Sequence, residues 1–327
     1  MAVKNYIEAI TDALALEMRR DERVFVMGED VGVRGGVFRA TAGLLDEFGP
    51  QRVLDTPLAE AGIVGTAIGA ALNGMLPVAE IQFVDFILPA VNQIISEAAK
   101  IRYRTAGDFH CPIVIRAPYG GGVHGALYHS QCLEALFTHV PGLKVVTPAS
   151  PYDAKGLLLS AIRDPDPVLF FEHKRCYRLL KGDVPADDYT VPIGKVAVRR
   201  EGSDITVFSY GLMLHFCQEA AEDLASEGIS VHLVDLRTLL PLDRESILAA
   251  ASRTGKALIV HEDNKTHGIG AEVAALISEE VFFDLDAPIM RLCGPDVPAM
   301  PYSSPMEKYY MLDQKKIADK MRELAAF

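Results

Sequence analysis

Glu60 stands at the head of an apolar run. No charged residue occurs from Ala61 to Ala79, and Glu80 and Asp85 follow. A carboxylate at the mouth of an apolar helix has three uses. It complements the helix dipole, it is a plain surface acid, or it serves catalysis from a dry pocket where desolvation favours its protonated form. Local pattern leaves all three open, with capping or exposure the ordinary outcome. His124 and His129 lie in GGGVHGALYHSQ. A Gly-rich loop leaves room for a ligand, and imidazole titrates where proton transfer is useful; a structural loop histidine is the competing reading. Gly120, Gly122 and Gly125 fit G-x-G-x-x-G, but Pro118-Tyr119 separates them from the preceding strand. Further on, GLKVV occupies the place of a ribose-binding acid, so a dinucleotide site is disfavoured. His261 and His267 in HEDNKTHG lack zincin spacing and read as a polar loop, and neither a G-x-S-x-G elbow nor a Walker loop occurs.

These groups need elements to position them. Tyr6, Ile7, Ile10, Leu14 and Met18 predict an amphipathic helix over 4–20. Strands are expected at Val24–Met27, Arg52–Leu54, Pro77–Phe83, Pro112–Ile115, Leu143–Thr147 and Val168–Glu172. GEDVGVRGGVFRAT after the first of these is a Gly-rich turn that lets backbone approach a ligand or another chain. Residues Phe86–Arg104 read as one helix with a basic end, and Ser150-Pro151 starts another. Gly62, Gly65 and Gly69 form a stripe that admits a second helix closely. A second alternating unit runs from Ile205 to a final helix at Gln314–Leu324. The expected fold class is α/β, with two domains at 1–180 and 195–327 joined by a linker at 181–194.

Composition bounds the function. The 327 residues are half apolar, 23% charged and carry a net charge of −12, which argues against nucleic acid or an anionic membrane as partner. Five dispersed cysteines without a C-x-x-C pair read as reduced, mostly buried thiols. The first residues, with their acids and helical periodicity, read as neither a signal nor a basic transit peptide. Glycines, Asn73 and Pro77 interrupt the run after Glu60, against a membrane span. A soluble cytoplasmic protein is expected.

GEDVGVRGGVFRAT, DTPLAEAGIVG, AEIQFVDF, APYGGGVHGALYHSQ, TPASPYDAKG and VDLRTLLPLD occur in this order. Together they resemble the beta subunits of thiamine-diphosphate-dependent 2-oxo acid dehydrogenases, over essentially the whole chain. The resemblance implies a pyrimidine-binding α/β domain followed by a transketolase C-terminal-like α/β domain. It also implies two alpha and two beta chains, with the cofactor shared between an alpha and a beta chain. The alpha chain holds Mg²⁺ and the diphosphate through a G-D-G motif, and no GDG occurs here.

Carried over by position, the resemblance implies that Glu60 hydrogen-bonds the aminopyrimidine ring nitrogen. This favours the imino form, whose exocyclic nitrogen takes the thiazolium proton. On the same resemblance Phe86 is expected to pack on the pyrimidine, Gln82 to line the same pocket, Leu58 to be a further cofactor-binding residue and Glu29 to belong to the acidic lining. His129 resembles the family's active-site histidine near the substrate carboxylate and the incoming lipoyl group, which implies that it donates a proton during acyl transfer. A structural K⁺ site maps to the carbonyls of Ile113, Ala161 and Ile162, to Asp164, and to Asp166, where the family commonly has Asn. Oxygen donors at a helix C-terminus suit such a cation. The His loop and FFEHKRCYRL look more like the branched-chain members, implying 3-methyl-2-oxobutanoate and its homologues as substrates and a lipoyl acyltransferase as partner. A pyruvate or acetoin enzyme, a stand-alone transketolase-like protein and a non-catalytic docking subunit are the alternatives.

Overall fold

Helix α1 (Tyr6–Arg20), which follows the short strand β1 (Ala2–Asn5), begins at a reciprocal cap. Asn5 accepts from the Glu8 N–H, and the Glu8 carboxylate accepts from the Asn5 N–H. Its apolar face, Ile7, Ile10, Leu14 and Met18, is buried as the periodicity predicts. The structure is a computed structural model and describes residues 2–327. It comprises two compact units. One runs to Tyr119 and resumes over Leu136–Ile193; the other is Gly120–Ala135 with Gly194–Phe327.

In the first unit, β2 (Val24–Gly28), β3 (Val53–Asp55), helix α2 (Glu60–Leu72), β4 (Leu76–Glu80), β5 (Val114–Tyr119), β6 (Lys144–Val146), helix α3 (Pro151–Ile162) and β7 (Val168–His173) alternate. The strands lie parallel in the order β6-β7-β5-β4-β2-β3. Such sheets are buried on both faces, hence the unbroken apolar runs VFVM and VLFF. Ser150 caps α3 by accepting from Asp153, as its Ser-Pro start predicts. Gly28 pairs in register with both Asp55 and Glu80. Three neighbouring strands therefore end level, over about 10 Å of sheet edge.

Two expectations change here. Phe86–Arg104 is not one helix. It is a chain of turns: 3₁₀ at Val84–Phe86 and Leu88–Ala90, π at Gln93–Glu97, 3₁₀ at Ala98–Lys100 and α at Ile101–Arg104. Pro89 lacks a donor and the π turn shifts the hydrogen-bond register, so no single ladder forms. The 181–194 stretch is packed and does not behave as a free linker. Its strand β8 (Lys181–Val184) pairs antiparallel with β1. Lys155 donates to the Pro185 and Ala186 carbonyls, and Val191 donates to Gly156.

In the second unit, β9 (Ala197–Arg200), β10 (Ile205–Ser209), helix α4 (Gly211–Ser226), β11 (Val231–Asp235), β12 (Thr238–Leu240), helix α5 (Arg244–Thr254), β13 (Ala257–Asn264), helix α6 (Ile269–Glu280), β14 (Met290–Gly294), helix α7 (Ser304–Tyr310) and helix α8 (Gln314–Ala325) follow one another. The sheet order is β14-β13-β10-β11-β9, parallel except for β9. β13 extends through HEDN, which the sequence suggested was loop, because β14 continues to pair with it up to Asn264. Among the described residues no helix is long and apolar enough to cross a membrane.

Candidate active site

Parallel α/β sheets present ligands at the carboxyl ends of their strands. Glu29 follows β2, Leu58 and Glu60 follow β3, and Gln82 and Phe86 follow β4. Three separate sequence segments thus deliver the expected cofactor residues to one edge. Glu60 is the first residue of α2 and half-buried; Ala59 precedes it and makes no side-chain cap. Its contribution to the helix is therefore to the dipole, not a capping hydrogen bond. Burial first, then the Glu60 and Asp30 charges, raise the Glu29 pKa. Glu29 and Glu60 therefore sense one another.

The Gly-rich turn is drawn onto the same edge. The Asp55 carboxylate accepts from the Gly32 N–H at 2.6 Å and the Val33 N–H at 3.2 Å. A Cβ at Gly32 would lie 2.8 Å from that carboxylate, and one at Gly36, with φ +79°, would lie 3.0 Å from Glu80 Oε1. Phe86 packs edge-on against Phe83 (5.7 Å between centroids), and Phe83 against Phe38 of the turn (5.3 Å). Gln82 is half-buried and Leu58 is 78% exposed. A groove of about 780 Å³ runs along α1 and is lined by Lys4, Asp12, Arg39 and Glu47; Glu60 does not line it. The grouping of strand ends, not cavity size, marks the candidate site.

Beneath this edge lies a network that sequence reading missed. Arg116 on β5 is 1% exposed. It donates to Glu80 on β4 at 2.6 Å and with two nitrogens to Glu172 on β7 at 2.7 and 2.8 Å. Tyr177 donates to Glu172 at 2.7 Å and its ring lies 5.1 Å from Phe38. The signal was present: an arginine inside the apolar strand VIRAPY demands buried carboxylates beside it.

His129 belongs to the second unit, in the loop that Gly120 closes by donating to the Gln131 carbonyl. Gly120 and Gly122 have φ of +85° and +77°, and the glycines lead into a 3₁₀ turn at Ala126–Tyr128, not a helix N-terminus. The dinucleotide geometry is therefore absent. A Cβ at Gly125 would lie 2.8 Å from His129 Cβ, so the loop is folded tightly on that histidine. His261 is structural: Gly270 N–H donates to its Nε2, which leaves Nδ1–H for the Asp263 carbonyl. Burial pushes its pKa down to about 4. Nearby, burial pushes Asp263 up to about 6 and Glu134 well above the usual carboxylate range.

The expected cation donors gather in the first unit. The Ile113 carbonyl accepts from Val168, the Ala161 carbonyl from Asp164, and Asp164 Oδ1 from the Asp166 N–H; Ile162 ends α3. Lys144 Nζ lies 2.6 and 2.7 Å from the Asp164 oxygens, and Arg102 Nε 2.9 Å from Asp166. Both carboxylates are thus already paired with cationic side chains, which would compete with a bound cation. No cluster of three or more His, Cys, Asp or Glu side chains able to hold a metal occurs among the described residues.

Comparison with known proteins adds to this geometry. Residues 3–179 match the transketolase pyrimidine binding domain and 194–317 the transketolase C-terminal domain. The chain is 66% identical over 327 residues, all of both chains, to 2-oxoisovalerate dehydrogenase subunit beta of Bacillus subtilis (strain 168). It is 47% identical, again over all of both chains, to the pyruvate dehydrogenase E1 component subunit beta of the same organism. A solved structure titled split gene transketolase, inactive beta4 tetramer, has the same fold. Its TM-score is 0.80 at 23% identity, covering 98% of this chain and 97% of that one.

Proposed function

The chain belongs to the family of 2-oxo acid dehydrogenase beta subunits, built from a transketolase pyrimidine-binding domain and a transketolase C-terminal domain, and from that membership we propose that it is the beta half of a branched-chain 2-oxo acid decarboxylase. The observation that carries the substrate class is end-to-end likeness to the 2-oxoisovalerate subunit well above that to the pyruvate subunit. The reaction is oxidative decarboxylation of 3-methyl-2-oxobutanoate and its homologues, with the acyl group passed to a lipoyl acyltransferase.

Thiamine diphosphate, when bound, supplies the electron sink for breaking the bond to the carboxylate. The residues at the strand ends fit such a group: a flat ring needs an aromatic neighbour and a carboxyl at its ring nitrogen, and Phe86 and Glu60 share one edge. Glu60 would be the residue to hold that nitrogen and the proton shared with it. Glu29 keeps the surroundings acidic, while Leu58 and Gln82 border the ring. His129 gives a proton at the acyl-transfer stage. The alpha partner holds the diphosphate and Mg²⁺ in an assembly of two alpha and two beta chains.

Reconstituted with its alpha chain, the protein is expected to release CO₂ from 3-methyl-2-oxobutanoate with a kcat/KM about tenfold or more above that for pyruvate, since two extra methyl groups in an apolar pocket are each worth ~1–3 kcal/mol. A preference for pyruvate would overturn the substrate assignment. A cofactor-loaded assembly without turnover would leave a docking role.

The glycine stripe supports the subunit reading. A Cβ at Gly65 would meet Gln93 at 3.8 Å and one at Gly62 would meet Ala59 at 3.6 Å, whereas one at Gly69 would meet nothing within 4 Å, so among the described residues the Gly69 end of the stripe is open. Gly69→Leu raises helix propensity by about 0.8–1 kcal/mol. It is nevertheless expected to dissociate the assembly in light-scattering chromatography while the lone chain keeps its melting temperature. An intact assembly would remove α2 from the interface.

K⁺ at Ile113, Ala161, Ile162, Asp164 and Asp166 is expected to raise the unfolding temperature relative to choline at equal ionic strength. Equal temperatures would assign the charge balance at Asp164 to Lys144 and remove the ion.

A further inference from the structure

Two buried carboxylates of the second unit end on the His129 loop. Glu262, on β13 and 5% exposed, accepts from the Gly121 N–H at 2.5 Å. Glu307, on α7 and 4% exposed, accepts with Oε1 from the Gly122 and His124 N–H groups, each at 3.2 Å. Its Oε2 lies 2.5 Å from His124 Nδ1. Charge-assisted bonds of this kind are the stronger ones. Burial penalises both acids, and Glu262 also has Glu134 and Asp263 as like-charged neighbours. The loop donors offset that cost. We propose that Glu262 and Glu307 are positioning residues: together they clasp the first half of the loop and thereby set where His129 stands.

The backbone carries the effect from clasp to histidine. His124 and Ala126 are non-glycine residues at φ +55° and +53°, a region such residues adopt only when their surroundings impose it. Glu307 binds His124 through both its backbone and its ring, which imposes the first of these. Gly125, between them, touches His129 with no room for a Cβ. A shift at 122–124 is therefore passed to His129 without slack. Met300 and Met311 close the other side, 2.4 and 3.2 Å from a Cβ position at Gly121.

The proposal rests on His129 acting in acyl transfer, and the experiment separates the two. The assembled alpha–beta enzyme is compared as wild type, Glu307→Ala, Glu307→Gln and His129→Ala. Three measurements are made: acyl transfer to a lipoyl domain, decarboxylation with an artificial electron acceptor, and amide exchange across the chain. Glu307→Ala is expected to slow acyl transfer by about tenfold or more, since small misplacements of a reacting group are costly. It should lower dye-coupled decarboxylation less, and speed amide exchange within 120–131 but not in α8 or β10. Glu307→Gln keeps an oxygen acceptor and should restore loop protection and most of the transfer rate. His129→Ala should lose acyl transfer with loop protection intact. Wild-type transfer in Glu307→Ala alongside an impaired His129→Ala overturns the clasp, as does exchange accelerated throughout the unit. Wild-type transfer in His129→Ala overturns the reading of His129. Loop exchange in Glu307→Ala then decides the clasp alone: accelerated supports it, unchanged overturns it.

Discussion

Glu60→Gln in the reconstituted enzyme is expected to lower decarboxylation by about 100- to 10,000-fold, the span usual for losing a positioned acid–base group. The substitution keeps the size of the side chain and a hydrogen-bonding end. It removes only the ability to hold and release a proton. Because Glu60 is half-buried at the first turn of α2 with no side-chain cap to lose, the folded chain should forfeit only a dipole contribution of about 0.3–1 kcal/mol. Assembly and melting should therefore be near wild type. A second readout is independent of turnover. The Glu60 charge is one cause of the raised Glu29 pKa, so neutralising it should lower that pKa, measurable by carboxyl NMR on the chain. Undiminished decarboxylation would end the role assigned to Glu60. An unchanged Glu29 titration would instead show that the two carboxyls do not interact.

Arg116→Met addresses the support under the site and is expected to produce the largest loss of stability. Methionine fills much of the space, but Glu80 and Glu172 then remain buried without their partner, at 5% and 0% exposure. Breaking a buried ion pair in this way costs about 3–5 kcal/mol. The deficit should depend on pH with a defined sign. Burial, partly opposed by Arg116, already raises the Glu80 pKa, and removing the arginine raises it further. A carboxyl whose folded pKa lies above its unfolded value stabilises the fold at low pH and loses that contribution as pH rises through the folded pKa. Denaturant unfolding should thus show a deficit that widens from pH 5.5 to 7.5. Adding Glu80→Gln and Glu172→Gln should recover much of it, because no buried charge then lacks a partner. A single variant as stable as wild type at pH 7.5 would mean the triad is dispensable. Since Tyr177 links Glu172 to Phe38, and Phe38 contacts Phe83 beside Phe86, some loss of cofactor affinity should accompany the destabilisation.

Periodicity and punctuation were enough to read the alternating elements. The apolar stripe of α1, the Ser150-Pro151 start of α3 and the short buried strands came out within a few residues of their observed ends. These features are local: a cap, a proline and a repeat of 3.6 act within a few residues. The expected helix over Phe86–Arg104 failed because a π turn depends on surroundings that periodicity does not encode. HEDN was read as loop because its polar residues follow a strand, yet β14 supplies pairing partners that keep it extended.

The sequence by itself determined the class of protein. It gave the two α/β halves, the Gly-rich turns, the acid at the head of α2 and the ordered set of motifs that marks the family. Tertiary structure alone decided which segments are brought to one sheet edge. The strand ends that lead into Glu29, Glu60 and Gln82 are level because β2 lies between β3 and β4 in register, although β4 is sequentially remote from β2. It also decided that Gly120–Ala135 joins the second unit, and that Arg116 has two carboxylates to balance. The physical reason is common to these cases. Strand order, register and the pairing of buried charges are set by contacts between residues far apart in the chain, and no local pattern records which distant partner satisfies them.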